Sequence, residues 1–104
     1  MFIQLIQYRF QDDASKVQGI EFIQKHLIPH ETKKFGFLSH SFVQGGPNDV
    51  FLMYRYKVKE NRIGPQLKSA DYGEFSKLWA KSPMVLTSTN KAYPEFQNKE
   101  LING

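Results

Sequence analysis

An α+β fold with the element order β-α-β-β-α-β is predicted by three features of the sequence. Two stretches carry apolar residues at helical spacing, the stretches between and around them are rich in β-branched and aromatic residues, and a GGPND turn joins two of the latter into a hairpin. That order is the split βαβ, or ferredoxin-like, arrangement, in which two helices cover one face of a four-stranded antiparallel sheet. With 104 residues the chain is the length of one ordinary domain, and residues 1–104 are read as a single unit.

Each element has its own warrant. From Phe2 to Phe10 the residues alternate, with Ile3, Leu5 and Gln7 on one side and Phe2, Ile6, Tyr8 and Phe10 on the other, which predicts a central strand apolar on both faces. Asp13 or Ser15 then caps a helix whose Val17, Ile20, Ile23 and Leu27 recur at helical spacing, and Pro29 is expected to kink or end it. Gly36 opens a second strand, FLSHSFV, and Gly45 to Asp49 turns it into a third, VFLMYRYKV.

Beyond a loop from Glu60 to Lys68, Ser69 caps a second helix that sets Tyr72, Phe75, Leu78 and Trp79 on one face and ends or bends at Pro83. Met84 to Tyr93 reads as a short helix or turn, and Glu95 to Ile102 as the last strand.

Composition narrows the class. Forty per cent hydrophobic residues against twenty-three per cent charged ones exclude a disordered chain. The absence of cysteine removes disulfides, thiolate nucleophiles and thiolate metal sites, and suits a reducing compartment. MFIQLIQYRF is a poor signal peptide, and no apolar run approaches the roughly 20 residues of a membrane span, so a soluble cytoplasmic protein with no membrane partner is expected. The net charge of +4 comes from lysines scattered along the chain, which a solvated surface explains without nucleic acid.

A sheet covered on one face leaves the other bare, and here the bare face would still carry large apolar side chains. Such patches usually mark interfaces, which predicts a homodimer with two sheets packed face to face.

The strand Phe2–Phe10, the helix leading into KKFGFLSHSF, the strand VFLMYRYKV and the segment FSKLWAKSPM together resemble the antibiotic biosynthesis monooxygenase domain family of dimeric α/β-barrel proteins. Gly36, Tyr56 and Ser82-Pro83 stand where that family places a small residue after the first helix, an aromatic residue at a strand end and a Ser-Pro-like corner. The resemblance implies a homodimer with a pocket between helices and sheet in each subunit, and a monooxygenase that oxidises a quinol-like or polycyclic phenolic substrate without a cofactor. It also covers haem-degrading enzymes, which use an Asn, a Trp and a His. Trp79 matches the tryptophan, but Gln7 and Thr89 stand in the other two places, so axial iron ligation in that manner is not supplied.

A more local resemblance links KKFGFLSH, Lys33 to His40, to the RNP1 motif of RNA-recognition domains. There the motif lies on the third strand, whereas here it follows the first helix directly, and RNA binding is disfavoured.

Several residues carry both a structural and a functional reading. Trp79, Tyr72 and Phe75 share the predicted helical face and either anchor the helix or line a pocket for a flat aromatic ligand. Gln7 either satisfies a backbone group or holds a substrate oxygen. His26 and His30 are one turn apart, yet no third ligand is indicated, so no metal site is expected. His40 is an interface histidine or a general base, and Tyr54 and Tyr56 pack in the dimer or donate to a phenolate, with Arg55 on the opposite face.

The reading therefore assigns His40 and Tyr54 as catalytic candidates, and Gln7, Tyr56, Tyr72, Phe75 and Trp79 as substrate-binding candidates, in a cofactor-independent monooxygenase acting on a small hydrophobic or aromatic ligand. The alternative is a non-enzymatic ligand-binding or stress-response module of the same fold.

Overall fold

The structure, a computed structural model, describes residues 2–57, 70–88 and 96–100. Its sheet is antiparallel throughout, in the order β2-β3-β1-β4-β5, built from β1 (Phe2–Phe10), β2 (Ser39–Gln44), β3 (Asp49–Tyr56), β4 (Trp79–Ser88) and β5 (Phe96–Glu100). Helical segments α1 (Asp13–Phe22), a π-helical turn (Ile23–Leu27), α2 (Ile28–Phe35) and α3 (Ala70–Ser76) complete the order. The first four strands and the helices form the ferredoxin-like α+β arrangement, with β5 added beyond β4.

Alternation along β1 decides which face is covered. Gln4, Ile6, Tyr8 and Phe10 are buried, and the residues between them are half-buried. The buried face packs with Ile23, Leu27 and Ile28 of the helical stretch and with Tyr72 and Phe75 of α3 in one hydrophobic cluster.

The first helix is longer than the sequence suggests. Asp12, rather than Asp13 or Ser15, is its cap, accepting from the Ser15 backbone N at 2.8 Å, and that bond holds the Asp12 carboxyl below its ordinary range. Pro29 neither ends nor breaks the helix, because the turn before it widens to the π form. Ile28 donates its N–H to the carbonyl of Ile23, five residues back, and the wider turn makes room for a ring that has no N–H to offer. The stop comes at Gly36, which adopts a left-handed conformation (φ 68°, ψ 41°) and donates its N–H to Thr32 O. Gly36 is thus a helix terminator, and the second strand starts three residues later than its sequence suggests.

The larger correction concerns Trp79. The predicted second helix ends at Ser76, and Trp79 opens β4 opposite Phe10. Gln11 secures the crossover, its side-chain amide donating to the carbonyls of Lys77 and Trp79, both at 3.1 Å, while its backbone N bonds Leu78 O. Pro83 does not end a helix either. Gln7 pairs with Met84, Arg9 with Lys81 and Phe10 with Trp79, so β4 uses two more residues than β1 over this stretch. Those bulges accommodate a proline that cannot donate to a ladder.

Met84 to Ser88, read from sequence as a turn or short helix, is the regular part of β4, and the expected terminal strand is the fifth rather than the fourth. The predicted Glu60–Lys68 loop, the Ser69 cap and Thr89 lie outside the described residues. Among those described, no helix is long and apolar enough to cross a membrane.

Candidate functional site

Tyr54, on β3, lies under α2 because its register partner Gln4 belongs to the buried face of β1. Glu31 reaches it from α2, and the Tyr54 hydroxyl donates to Glu31 Oε1 at 3.0 Å. Both side chains are buried. Desolvation pushes the Glu31 carboxyl up to about 8, against the opposing pull of the Tyr54 hydrogen bond and the Lys34 charge.

Tyr8 and Tyr72 belong to the same region. Burial raises both the Tyr8 and the Tyr54 hydroxyl well above the ordinary tyrosine value, with the Glu31 charge the next cause for each, and Tyr72 adds to the rise on both. One carboxyl and three phenols therefore influence one another inside the layer between sheet and helices. At neutral pH the carboxyl keeps its proton, and near pH 8 it becomes a proton acceptor in a dry aromatic setting.

Aromatic rings wall this group. Phe37, in the short link between α2 and β2, stacks on Tyr54 with centroids 4.0 Å apart and planes 18° from parallel. At the other end Tyr8 meets Phe75 at 5.3 Å and Trp79 at 6.2 Å, and Phe75 meets Trp79 edge to face at 5.4 Å. The indole Nε1 of Trp79 is buried without a hydrogen-bond partner among the described residues. Gln4 spans β1 to β4, donating from Nε2 to Thr87 Oγ1 at 3.2 Å.

The sequence-derived candidates divide into two groups. Tyr54, Tyr56, Tyr72, Phe75 and Trp79 come together in the buried layer, although Trp79 arrives there from a strand. Gln7 does not. It lies on the uncovered face, donating to Asp49 Oδ2 at 3.2 Å, and its neighbour Gln4 is the amide that enters the layer. His40 pairs in register with Tyr54 and so shares its face, but it stands exposed on the edge strand. His26 and His30 are exposed, resting on Phe22 and Tyr72 respectively.

Glu31 is the residue that sequence reasoning missed. Its signal was present, since the stripe Ile23, Leu27 continues by four to Glu31, but only for a helix that runs through Pro29. Tyr8, which alternation sets with Ile6 and Phe10, is a second such residue, because the sequence does not say that this is the face the helices cover.

The RNP1-like segment is accounted for otherwise. Lys33, Lys34 and Phe35 end α2, Gly36 caps it, and Phe37 is buried against Tyr54 and Phe35, so its aromatics are not displayed on the open face.

The uncovered face presents Leu5, Phe51, Met53, Met84 and Leu86, all half-buried, around the middle of the sheet. Arg55 sits toward one end, bonded to Ser41 Oγ at 3.1 Å, and Gln7 and Arg9 toward the other.

No protein-family model matches the chain, and no curated protein matches it in sequence. Solved structures do match in shape. A monooxygenase from the ActVA-Orf6 gene of Streptomyces coelicolor, in complex with nanaomycin D, superposes with a TM-score of 0.62 over 88% of both chains at 12% identity. A dimeric ferredoxin-like protein from an uncultured marine organism gives 0.65 at 15% identity, covering 88% of this chain and 97% of its own. A second such marine protein gives 0.56 at 9% identity, over 98% and 93%. At these identities the likeness is one of fold.

Proposed function

We propose that this chain is a small homodimeric monooxygenase of the antibiotic biosynthesis type, oxidising a phenolic or quinol-like aromatic substrate between its helices and sheet without a cofactor. The observation that carries this reading is the Phe37 ring stacked at 4.0 Å on the ring of Tyr54, whose hydroxyl bonds the buried Glu31. A flat ring already occupies the place where a flat substrate would meet a buried proton acceptor. The fold shared with a monooxygenase that binds nanaomycin D supports the same class of ligand.

In the proposed reaction the substrate ring takes the place of Phe37, which sits on a short link rather than inside a helix or strand. The Glu31 carboxylate, in place of the exposed His40, accepts the phenolic proton, and Tyr54 orients it. The electron-rich phenolate combines with dioxygen at its para carbon to give a hydroperoxide, which loses water. One phenol and one O2 yield one para-quinone and one H2O, so the ring is oxidised and half of the dioxygen leaves as water. The Trp79 indole N–H supplies a donor within the layer. The dimer forms through the uncovered apolar face.

Oxygen uptake with a panel of quinols and anthrones tests this. Turnover is expected to rise through about pH 8, the value for Glu31. Glu31→Gln is expected to reduce it by about 100-fold or more, the scale of general-base catalysis. The tight Phe37 packing also favours a second reading, a binding module that admits the ligand without oxidising it. Quenching of Trp79 fluorescence by a quinol with no oxygen uptake would select that reading, and neither quenching nor uptake would remove both.

A further inference from the structure

We propose that the concavity between the ends of β1 and β4 on the uncovered face binds a small oxyanion, a carboxylate or phosphate ester whose apolar part rests on Met84. The concavity has a volume of about 460 Å³ and is lined by Gln7, Arg9, Lys81, Ser82 and Met84. That volume falls in the range of small-molecule sites. It lies on the opposite side of the sheet from Glu31 and Tyr54, toward the Arg9 end of the uncovered face, with Met84 at the boundary of the apolar middle that forms the proposed dimer.

Its charge is the first argument. Arg9 and Lys81 are register partners across β1 and β4, which places two cations side by side. Neither forms an ion pair or a side-chain hydrogen bond among the described residues, whereas Lys25 and Lys77 each bond a carboxylate about one turn back in sequence, Glu21 and Glu74. Like charges directly opposite in a sheet are destabilising, and a bound anion reverses that sign.

The carboxylate opposite Arg9 is turned elsewhere. Asp49 faces Arg9 across β3, but its Oδ2 accepts from Gln7 Nε2, and Asp49 is not part of the lining. The Gln7 amide keeps a second N–H hydrogen.

Backbone geometry supplies the shape. The two extra residues of β4 fall between Trp79 and Met84, and bulges of this kind re-aim side chains and open a sheet locally. Buried Pro83 fixes the far side of the bulge and leaves Lys81 and Ser82 exposed beside Arg9. A guanidinium fork, an ammonium, a hydroxyl and an amide N–H suit the oxygens of a phosphate or carboxylate, and the Met84 thioether suits an adjoining ring or alkyl group.

The test is an amide NMR titration of the full chain at low ionic strength with phenyl phosphate, benzoate and inorganic phosphate, using phenol as the uncharged control. Phenyl phosphate or benzoate is expected to shift the amides of Arg9, Lys81, Ser82 and Met84 saturably, with phenol inert there, and the tighter of the two identifies the headgroup. Arg9→Gln combined with Lys81→Gln is expected to weaken binding about tenfold or more, as loss of charged hydrogen-bond donors does. Asp49→Asn, which removes the negative charge opposite Arg9, is expected to strengthen it. Equal shifts with phenol, no anion-dependent shift at these amides, or an unchanged affinity in the double variant would overturn the proposal.

Discussion

The hydroxyl of Tyr54 on β3 donates a 3.0 Å hydrogen bond to the carboxyl of Glu31 on α2, joining sheet to helix through a buried acid. Burial makes that acid hold its proton to about pH 8 in the folded chain, while in the unfolded chain it ionises near the ordinary value of 4.5. Between those two values the folded state carries the extra proton. Stability from this group is therefore complete below about 4.5, falls as pH rises, and levels off above about 8. The slope can reach about 1.4 kcal/mol per pH unit for one proton. Urea denaturation of the wild type and Glu31→Gln at pH 5.5 and 7.5 reads this directly. The variant is expected to gain on the wild type at the higher pH, and parallel profiles would count against a buried neutral Glu31.

Tyr54→Phe separates the hydrogen bond from the burial. The bond lowers the Glu31 value, so its loss is expected to move the carboxyl further above 8. It should also cost about 1–3 kcal/mol, the usual range when a buried acceptor loses its donor. A carboxyl carbon NMR titration of Glu31 in the two proteins measures the shift, and a lower value in the variant would contradict the assigned cause.

How far the sequence revealed this site depends on the element. Tyr54 and Tyr56 were placed on one face by alternation alone, since a strand has one period and the hairpin fixed its register. Gln7 and Tyr8 alternate on a strand that is apolar on both faces, and nothing local says which of the two the helices cover. Trp79 deceived for a different reason. Phe75, Leu78 and Trp79 satisfy a helical period, yet the chain turns between them, held by Gln11, a residue more than sixty positions away. Glu31 stayed hidden behind Pro29, because a π-helical turn leaves no compositional mark.

The uncovered face predicts its own disruption. Leu5 pairs with Met53 on one side and Leu86 on the other, in the middle of the apolar surface. Leu5→Lys would set an unpaired cation against the partner sheet in the proposed dimer, while its side chain points away from the buried layer. Sedimentation velocity at micromolar concentration is expected to show a dimer for the wild type and a monomer for the variant, with unchanged far-UV circular dichroism. A monomeric wild type would refute the proposed assembly.

Two helical glycines give predictions of opposite sign. Helix propensity alone favours alanine over glycine by about 1 kcal/mol at either position. At Gly19 in α1 a Cβ would overlap the ring of Phe10, which is buried beneath it, so the close approach of helix to strand depends on the missing side chain. Gly19→Ala is expected to destabilise by about 1–3 kcal/mol, the range for overpacking a filled core. At Gly73 in α3 a Cβ would meet nothing within 4 Å, and Gly73→Ala is expected to stabilise by about 0.4–1 kcal/mol. Urea midpoints of the two single variants check the pair. A stabilising Gly19→Ala would mean that α1 can lift from Phe10 without loss, and that Phe10 does not set the spacing of helix and sheet.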